Sequence, residues 1–105
     1  MKYQPRYELG RHVQERLTFV GSFEKFGTKP GHAKRPVTIL LLSITHGSTV
    51  VTDHLWLNRT KGFDAMRLRR GDRVQFDARV KTYRKGNGKL DYKLSYPTKV
   101  IRLAK

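Results

Sequence analysis

The stretch that decides the fold is residues 70–96, RGDRVQFDARVKTYRKGNGKLDYKLSY. Its first half alternates apolar with polar residues, and the apolar positions are Val74, Phe76, Ala78 and Val80. Such strict alternation is typical of a strand with one buried and one solvent-facing side. Residues 86–88, GNG, tolerate positive φ and therefore allow the chain to reverse. The stretch predicts a β-hairpin whose second strand has an apolar side formed by Leu90, Tyr92 and Leu94.

The rest of the chain supplies the elements needed to close a small barrel around this hairpin. Its apolar and β-branched runs predict three further strands, at residues 11–26, 37–45 and 49–57. A basic helix is expected at residues 58–70, capped by Asn58 or Thr60 and ended by Gly71. Pro97 indicates that the last strand lies at an edge or contains a bulge.

The side-chain patterns also predict which residues face the core. In the first strand, Leu17, Phe19 and Phe23 point to one side. Val20 and Phe26 point to the other, and the glycine between them favours a bend. The leucine run of the second strand predicts that both of its faces are covered.

The order strand, loop, strand, strand, helix, strand, strand is that of the OB-fold, a five-stranded, partly open barrel. The expected architecture is therefore an all-β, five-stranded OB-fold barrel with one short helix between strands 3 and 4. We expect residues 1–10 to form an N-terminal arm and residues 11–105 to form the OB-fold nucleic-acid-binding domain.

The charge of the chain indicates its partner. The formal net charge is +15, an imbalance that favours a polyanionic partner. Nucleic acid is the first candidate, and an anionic membrane surface is the second. No apolar run is long enough to span a bilayer, the N-terminus lacks the apolar core of a signal peptide, and there are no cysteines. These features predict a cytoplasmic protein that is not embedded in a membrane.

The sequence contains no recognisable catalytic or metal-binding pattern. Its acids are scattered without the clustering that hard cations require. Its histidines fall in separate predicted elements, and the loop at residues 27–36 lacks the lysine-serine ending of a phosphate-binding loop. We therefore expect no enzyme activity, no metal site and no cofactor.

Three short stretches of the chain are informative together: VVTDHLWL at residues 50–57, GDRVQFDARVKTYRKG at residues 71–86 and DYKLSYP at residues 91–97. They resemble small OB-fold single-stranded DNA-binding proteins carried by bacterial mobile elements and phages. The resemblance implies binding of single-stranded DNA without sequence specificity, in replication or recombination of a mobile element. It also implies a helicase or another replication factor as a protein partner.

The candidate binding residues are cations that meet phosphates and rings that stack on bases. The cations lie in the first loop, at Lys29, Lys34 and Arg35, and in the last hairpin, at Arg79, Lys81, Arg84, Lys85 and Lys89. The candidate rings are Phe26, Trp56 and Tyr83, with His54 on the side of Trp56. Each ring has the alternative role of packing in the core or at the rim of the barrel.

Two other functions fit the same residues. One is an OB domain that binds structured RNA in translation, because stacking does not distinguish the sugars of DNA and RNA. The other is a protein-interaction module whose basic surfaces bind an acidic protein. The basic predicted helix has two interpretations. It is either a second basic surface, which extends the nucleic-acid path or attracts an acidic partner, or an ordinary solvated helix face.

Overall fold

The computed structural model describes residues 7–28 and 36–103. This part of the chain contains a 3-10 helix, five strands and one α-helix. In chain order they are a 3-10 helix (Tyr7–His12), β1 (Arg16–Gly27), β2 (Thr38–His46), β3 (Thr49–Asn58), α1 (Lys61–Ala65), β4 (Arg73–Arg84) and β5 (Leu90–Arg102). The all-β class and the short helix between the third and fourth strands are confirmed.

The five described strands form one antiparallel sheet in the order β3-β2-β1-β4-β5. The sheet curves so that its two edge strands, β3 and β5, approach each other and line a common cleft. No backbone pairing joins these two edges within the described residues. The result is a barrel-like sheet with an open seam between β3 and β5.

The β4–β5 hairpin forms as the alternation predicts. Its inward side chains, Val74, Phe76, Ala78 and Val80, are all fully buried. At the turn, the Gly88 amide donates to the Lys85 carbonyl at 2.9 Å, and Gly88 has a φ of +82°. The prediction for Leu90 was wrong, because this residue pairs with Arg84 beyond the end of the core and is exposed.

The first strand begins at Arg16, five residues later than its pattern predicts. Gln14 has a φ of 71°, outside the range of a strand, and the chain before it forms the 3-10 helix. Leu9 in this helix is fully buried in the core. The described end of the predicted arm is therefore packed onto the sheet, whereas residues 1–6 lie outside the described part.

A β-bulge changes the face on which Phe26 lies. Phe23 pairs with Leu41 and Lys25 pairs with Leu40, so β1 contains one extra residue between them. The extra residue reverses the alternation, and Phe26 packs on the core with its ring centroid 5.0 Å from that of Phe23. The prediction that Phe26 faces away from Phe23 was wrong for this reason.

Only one face of β2 is fully covered, which corrects the prediction from its leucine run. Ile39 and Leu41 are fully buried in the core. Leu40 and Leu42 lie on the opposite face and are only half-buried, because no other element of the described part of the chain covers this side of the sheet.

The helix is shorter than predicted. Thr60 is its N-cap, and its hydroxyl accepts a hydrogen bond from the Phe63 amide. The helix ends at Ala65, since Arg67 takes the left-handed conformation with a φ of 48°. Phe63 inserts into the core with its ring centroid 5.9 Å from that of Phe76. Gly71, with a φ of +91°, belongs to the turn before β4 and does not end the helix.

The last strand is an edge strand with two bulges, as Pro97 predicts. The first bulge lies between the pairs Arg79–Ser95 and Asp77–Thr98, where β5 has one residue more than β4. The second lies between Asp77–Thr98 and Gln75–Ile101, where β5 again has one extra residue. The positive φ values of Tyr96 and Lys99, 55° and 52°, fall at these two bulges.

Candidate nucleic-acid interface

The solvent-facing side of β1, β2 and β3 presents the only tryptophan of the chain. Trp56 pairs with Leu40, and Leu40 pairs with Lys25, so these three residues form one row across the strands. Trp56 is 43% exposed. Leu40 is half-buried and Lys25 is exposed. We call this row the tryptophan row.

The position of the Trp56 ring depends on Gly27. A Cβ atom at Gly27 would lie 2.5 Å from Cζ3 of Trp56 and 3.0 Å from the hydroxyl oxygen of Thr38. The indole therefore covers the backbone at the end of β1 and leaves its other side to solvent. An exposed aromatic ring supported in this way is suited to stacking on a planar ligand.

His54 lies next to the tryptophan row. It pairs with Leu42, which brings both residues to the same solvent-facing side of the sheet. Its Nδ1 is 2.8 Å from a carboxylate oxygen of the neighbouring Asp53. The imidazole is therefore held in place by a carboxylate.

The seam places a cation of β5 beside Trp56. Trp56 and Lys93 line the same cleft between β3 and β5, which has a volume of about 160 Å³. The Lys93 ammonium is 5.9 Å from the ring centroid of Tyr83 on β4. A continuous surface thus runs from Trp56 across the seam to Lys93 and Tyr83.

The outer side of the hairpin adds a second pair of a cation and a ring. The Lys81 ammonium is 5.2 Å from the ring centroid of Tyr96, which is 66% exposed. Lys81 lies directly opposite Lys93 on the neighbouring strand. We call Lys81, Tyr83, Lys93 and Tyr96 the hairpin face.

Three of the other four predicted hairpin cations have intramolecular partners for their side chains. The Arg79 guanidinium donates to the Gln14 carbonyl at 2.6 Å, and that of Arg84 donates to the Gly88 carbonyl at 2.9 Å. The Lys85 ammonium is 3.2 Å from a carboxylate oxygen of Asp91. Lys89, at the turn, is exposed. These cations border the hairpin face, and three of them also support the hairpin itself.

One acid, Asp91, lies on the hairpin face, where it accepts a hydrogen bond from the Tyr83 hydroxyl at 3.5 Å. The acids whose side chains are described each contact a nearby cation, imidazole, hydroxyl or backbone amide: Glu15, Glu24, Asp53, Asp64, Asp72, Asp77 and Asp91. Among the described residues, no carboxylate contacts Lys81 or Lys93 within ion-pair distance.

The structure brings together Trp56, Lys81 and Tyr83 from the sequence prediction and places His54 beside them. Phe26 lies on the opposite side of the sheet, where the Arg59 guanidinium is 4.1 Å from its ring centroid. The predicted loop cations Lys29, Lys34 and Arg35 lie outside the described residues.

Sequence reasoning missed four residues of this surface: Lys25, Leu40, Lys93 and Tyr96. Lys93 alternates with Tyr92 and Leu94, so its outward direction was readable from the sequence. Leu40 required the strand pairing, because a leucine within a leucine run carries no sign of exposure.

Within residues 7–28 and 36–103, no group of three or more histidines or acids is placed to hold a metal ion. The same part of the chain has no helix long and apolar enough to cross a membrane.

Comparison with known proteins gives no relative for this chain. No protein-family model matches it, and no curated protein or solved structure gives a significant match.

Proposed function

We propose that this protein is an OB-fold protein that binds single-stranded DNA with little sequence preference, across the tryptophan row and the hairpin face. The observation that carries the proposal is the alternation of rings and cations around the seam. The exposed Trp56 is followed by Lys93 in the same cleft, and Lys93 lies over Tyr83. Rings that stack on bases and cations that meet phosphates are the two components of a single-strand binding surface.

The two lysines that face each other on β4 and β5 favour binding of a polyanionic ligand. Like charges directly opposite each other on paired strands destabilise a sheet. Lys81 and Lys93 occupy such positions, each is near an aromatic ring, and neither has a described carboxylate within ion-pair distance. A phosphate between the two ammonium groups would relieve this repulsion and release the counterions condensed on the nucleic acid.

The strand topology supports the OB-fold. Pairing of β1 with both β2 and β4, and the approach of β3 to β5, agree with a five-stranded, partly open barrel. The resemblance of the three sequence phrases favours DNA over RNA. It also favours a non-enzymatic role in replication or recombination of a mobile element, beside a helicase or other replication protein in the cytoplasm.

The proposal is tested by fluorescence anisotropy with labelled oligo-dT, a duplex of equal length, oligo-U and a folded RNA hairpin, each at low and near-physiological salt. We expect the tightest binding to oligo-dT, with a preference that persists at the higher salt. Stacking requires unpaired bases, so the duplex should bind more weakly.

Other outcomes contradict the proposal in different ways. The tightest binding to the RNA hairpin would identify a structured-RNA-binding domain. Equal binding to all four ligands, lost at near-physiological salt, would mean that the charge attracts any polyanion. In that case the protein-interaction module becomes the better explanation.

A further inference from the structure

A second surface, at the far end of β5, has a different chemistry. It is a cleft of about 360 Å³ between the end of α1 and the end of β5. Its described lining consists of one arginine and four residues with apolar side chains: Arg102, Ala65, Met66, Val100 and Ile101. A cavity of about 150 Å³ is large enough to hold benzene, so this cleft has room for more than one apolar side chain. We call it the helix cleft.

The helix cleft is built by contacts between its two walls. A Cβ atom at Gly62 would lie 3.2 Å from Cγ2 of Val100, which shows how closely the helix approaches β5. The Arg102 guanidinium donates to the carbonyl of Met66 at 3.2 Å and joins the two walls. The cleft is therefore part of the folded domain.

Ile101 leaves a large apolar side chain uncovered at this place, since it is 51% exposed. Edge strands usually carry charged residues or prolines that discourage other chains from pairing. Here the exposed edge position is apolar and continues into the apolar lining of the helix cleft. The exposed Ile101 and the apolar residues beside it give an apolar side chain of a partner a surface on which to pack.

The charges around the helix cleft determine what fits it. The turn after Met66 carries the exposed cations Arg67 and Arg69, and Arg102 forms part of the lining. The described lining contains no acid. A partner must therefore combine apolar side chains with negative charge.

Two other occupants fit less well. Nucleic acid would need rings for its bases, and the described lining contains no aromatic residue. A second copy of the chain would bring another net charge of +15 against the same cations. The β5 residues of the helix cleft also lie seven to nine positions after Lys93, about 23–30 Å at the spacing of residues in a strand.

We propose that the helix cleft binds an acidic protein segment that carries bulky apolar residues. The apolar side chains enter between α1 and β5, and the carboxylates face Arg67, Arg69 and Arg102. This inference does not depend on the proposed binding of single-stranded DNA, because it concerns a separate surface.

The test uses two fluorescein-labelled peptides of equal charge, DEDLFDELFDED and DEDSSDESSDED, in anisotropy titrations at near-physiological salt. We expect the first peptide to bind more tightly than the second. Ile101→Thr should weaken binding of the first peptide about tenfold, as expected for loss of an apolar contact in a pocket. Val50→Thr is the matched control, because Val50 is a β-branched residue on the other edge strand with 54% exposure. It should leave binding unchanged.

Oligo-dT binding and sedimentation equilibrium complete the test. Both variants should bind oligo-dT like the unmodified protein and remain monomeric. Equal binding of the two peptides, or equal effects of the two variants, would overturn the proposal. Loss of oligo-dT binding in Ile101→Thr would assign the helix cleft to the nucleic-acid path instead, and a dimer dissolved by this substitution would assign it to a second copy.

A second variant distinguishes loss of the binding cleft from loss of folding. Ala65→Gln extends a side chain into the helix cleft from an exposed helical position and leaves Ile101 in place. Its circular dichroism spectrum should match that of the unmodified protein, and it should bind the first peptide more weakly. Unchanged peptide binding by folded Ala65→Gln would count against the proposal.

Discussion

Removing the Trp56 ring should weaken binding of oligo-dT without changing its salt dependence. A fully buried tryptophan removes about 250 Å² from water. The 43% of Trp56 that is exposed then corresponds to about 110 Å². A stacked base covers one side of the ring, or about half of this area. At about 25 cal/mol per Å² the loss is about 1.4 kcal/mol, or about tenfold in the dissociation constant.

The assay for Trp56→Ala is anisotropy with labelled oligo-dT over a series of salt concentrations. An indole carries no net charge, so the slope of log affinity against log salt should be unchanged. Trp56→Phe retains an aromatic surface and should recover part of the affinity. A folded Trp56→Ala protein with unchanged affinity would refute the stacking argument, and a reduced slope would show that the ring acts by placing a cation.

Three further predictions concern charge, packing and the turn. Lys93→Ala should reduce the salt slope for oligo-dT by about 0.7, the contribution of one phosphate contact on a single strand. Lys61→Ala, on the helix, should leave that slope unchanged in the same titrations. Phe63→Ala removes a fully buried ring and should lower the free energy of unfolding by about 3–5 kcal/mol in urea titrations, and a much smaller loss would mean that the helix does not help to close the core. Gly88→Ala should cost about 1 kcal/mol in the same assay, because a side chain is strained at its φ of +82°. Gly86→Ala is the control, since nothing lies within 4 Å of its Cβ position and its φ is not positive. Equal stabilities of the two alanine variants would contradict this explanation.

The hairpin was predictable because its physical rule is simple. A strand with one buried side has a period of two, and Val74 to Val80 obey it without interruption. The turn was predictable for a similar reason, since few residues besides glycine tolerate the conformation of Gly88. The β4–β5 hairpin was therefore predictable from the alternation of its residues and from the glycine at its turn.

Some of the errors arose where one extra residue changes the alternation. The bulge before Lys25 moves Phe26 to the core side. Pro97 indicated an edge or a bulge, but Tyr96 and Lys99 take positive φ although neither is glycine, so the sequence did not show at which residues the two bulges lie. These conformations depend on pairing with a distant strand, which a local pattern does not contain.

The candidate interface was predictable in part. Trp56 and Tyr83 were identified as candidate stacking rings because of their places in the alternation and near basic residues. The position of Trp56 relative to Tyr83 was not predictable. It depends on the approach of β3 to β5 across the seam, which brings Lys93 beside Trp56. Leu40 was missed for the same reason, since only its pairing with Trp56 shows that it belongs to the row.

The position of Trp56 also has a practical consequence. Trp56 is the only tryptophan of the chain, and its indole is partly in contact with water. Light absorbed near the red edge of the protein spectrum is therefore emitted almost entirely from one side chain at the proposed interface. The emission of the unlabelled protein reports the polarity around that ring. The same side chain that is expected to contact the ligand thus serves as an intrinsic optical probe, with no dye to disturb the surface.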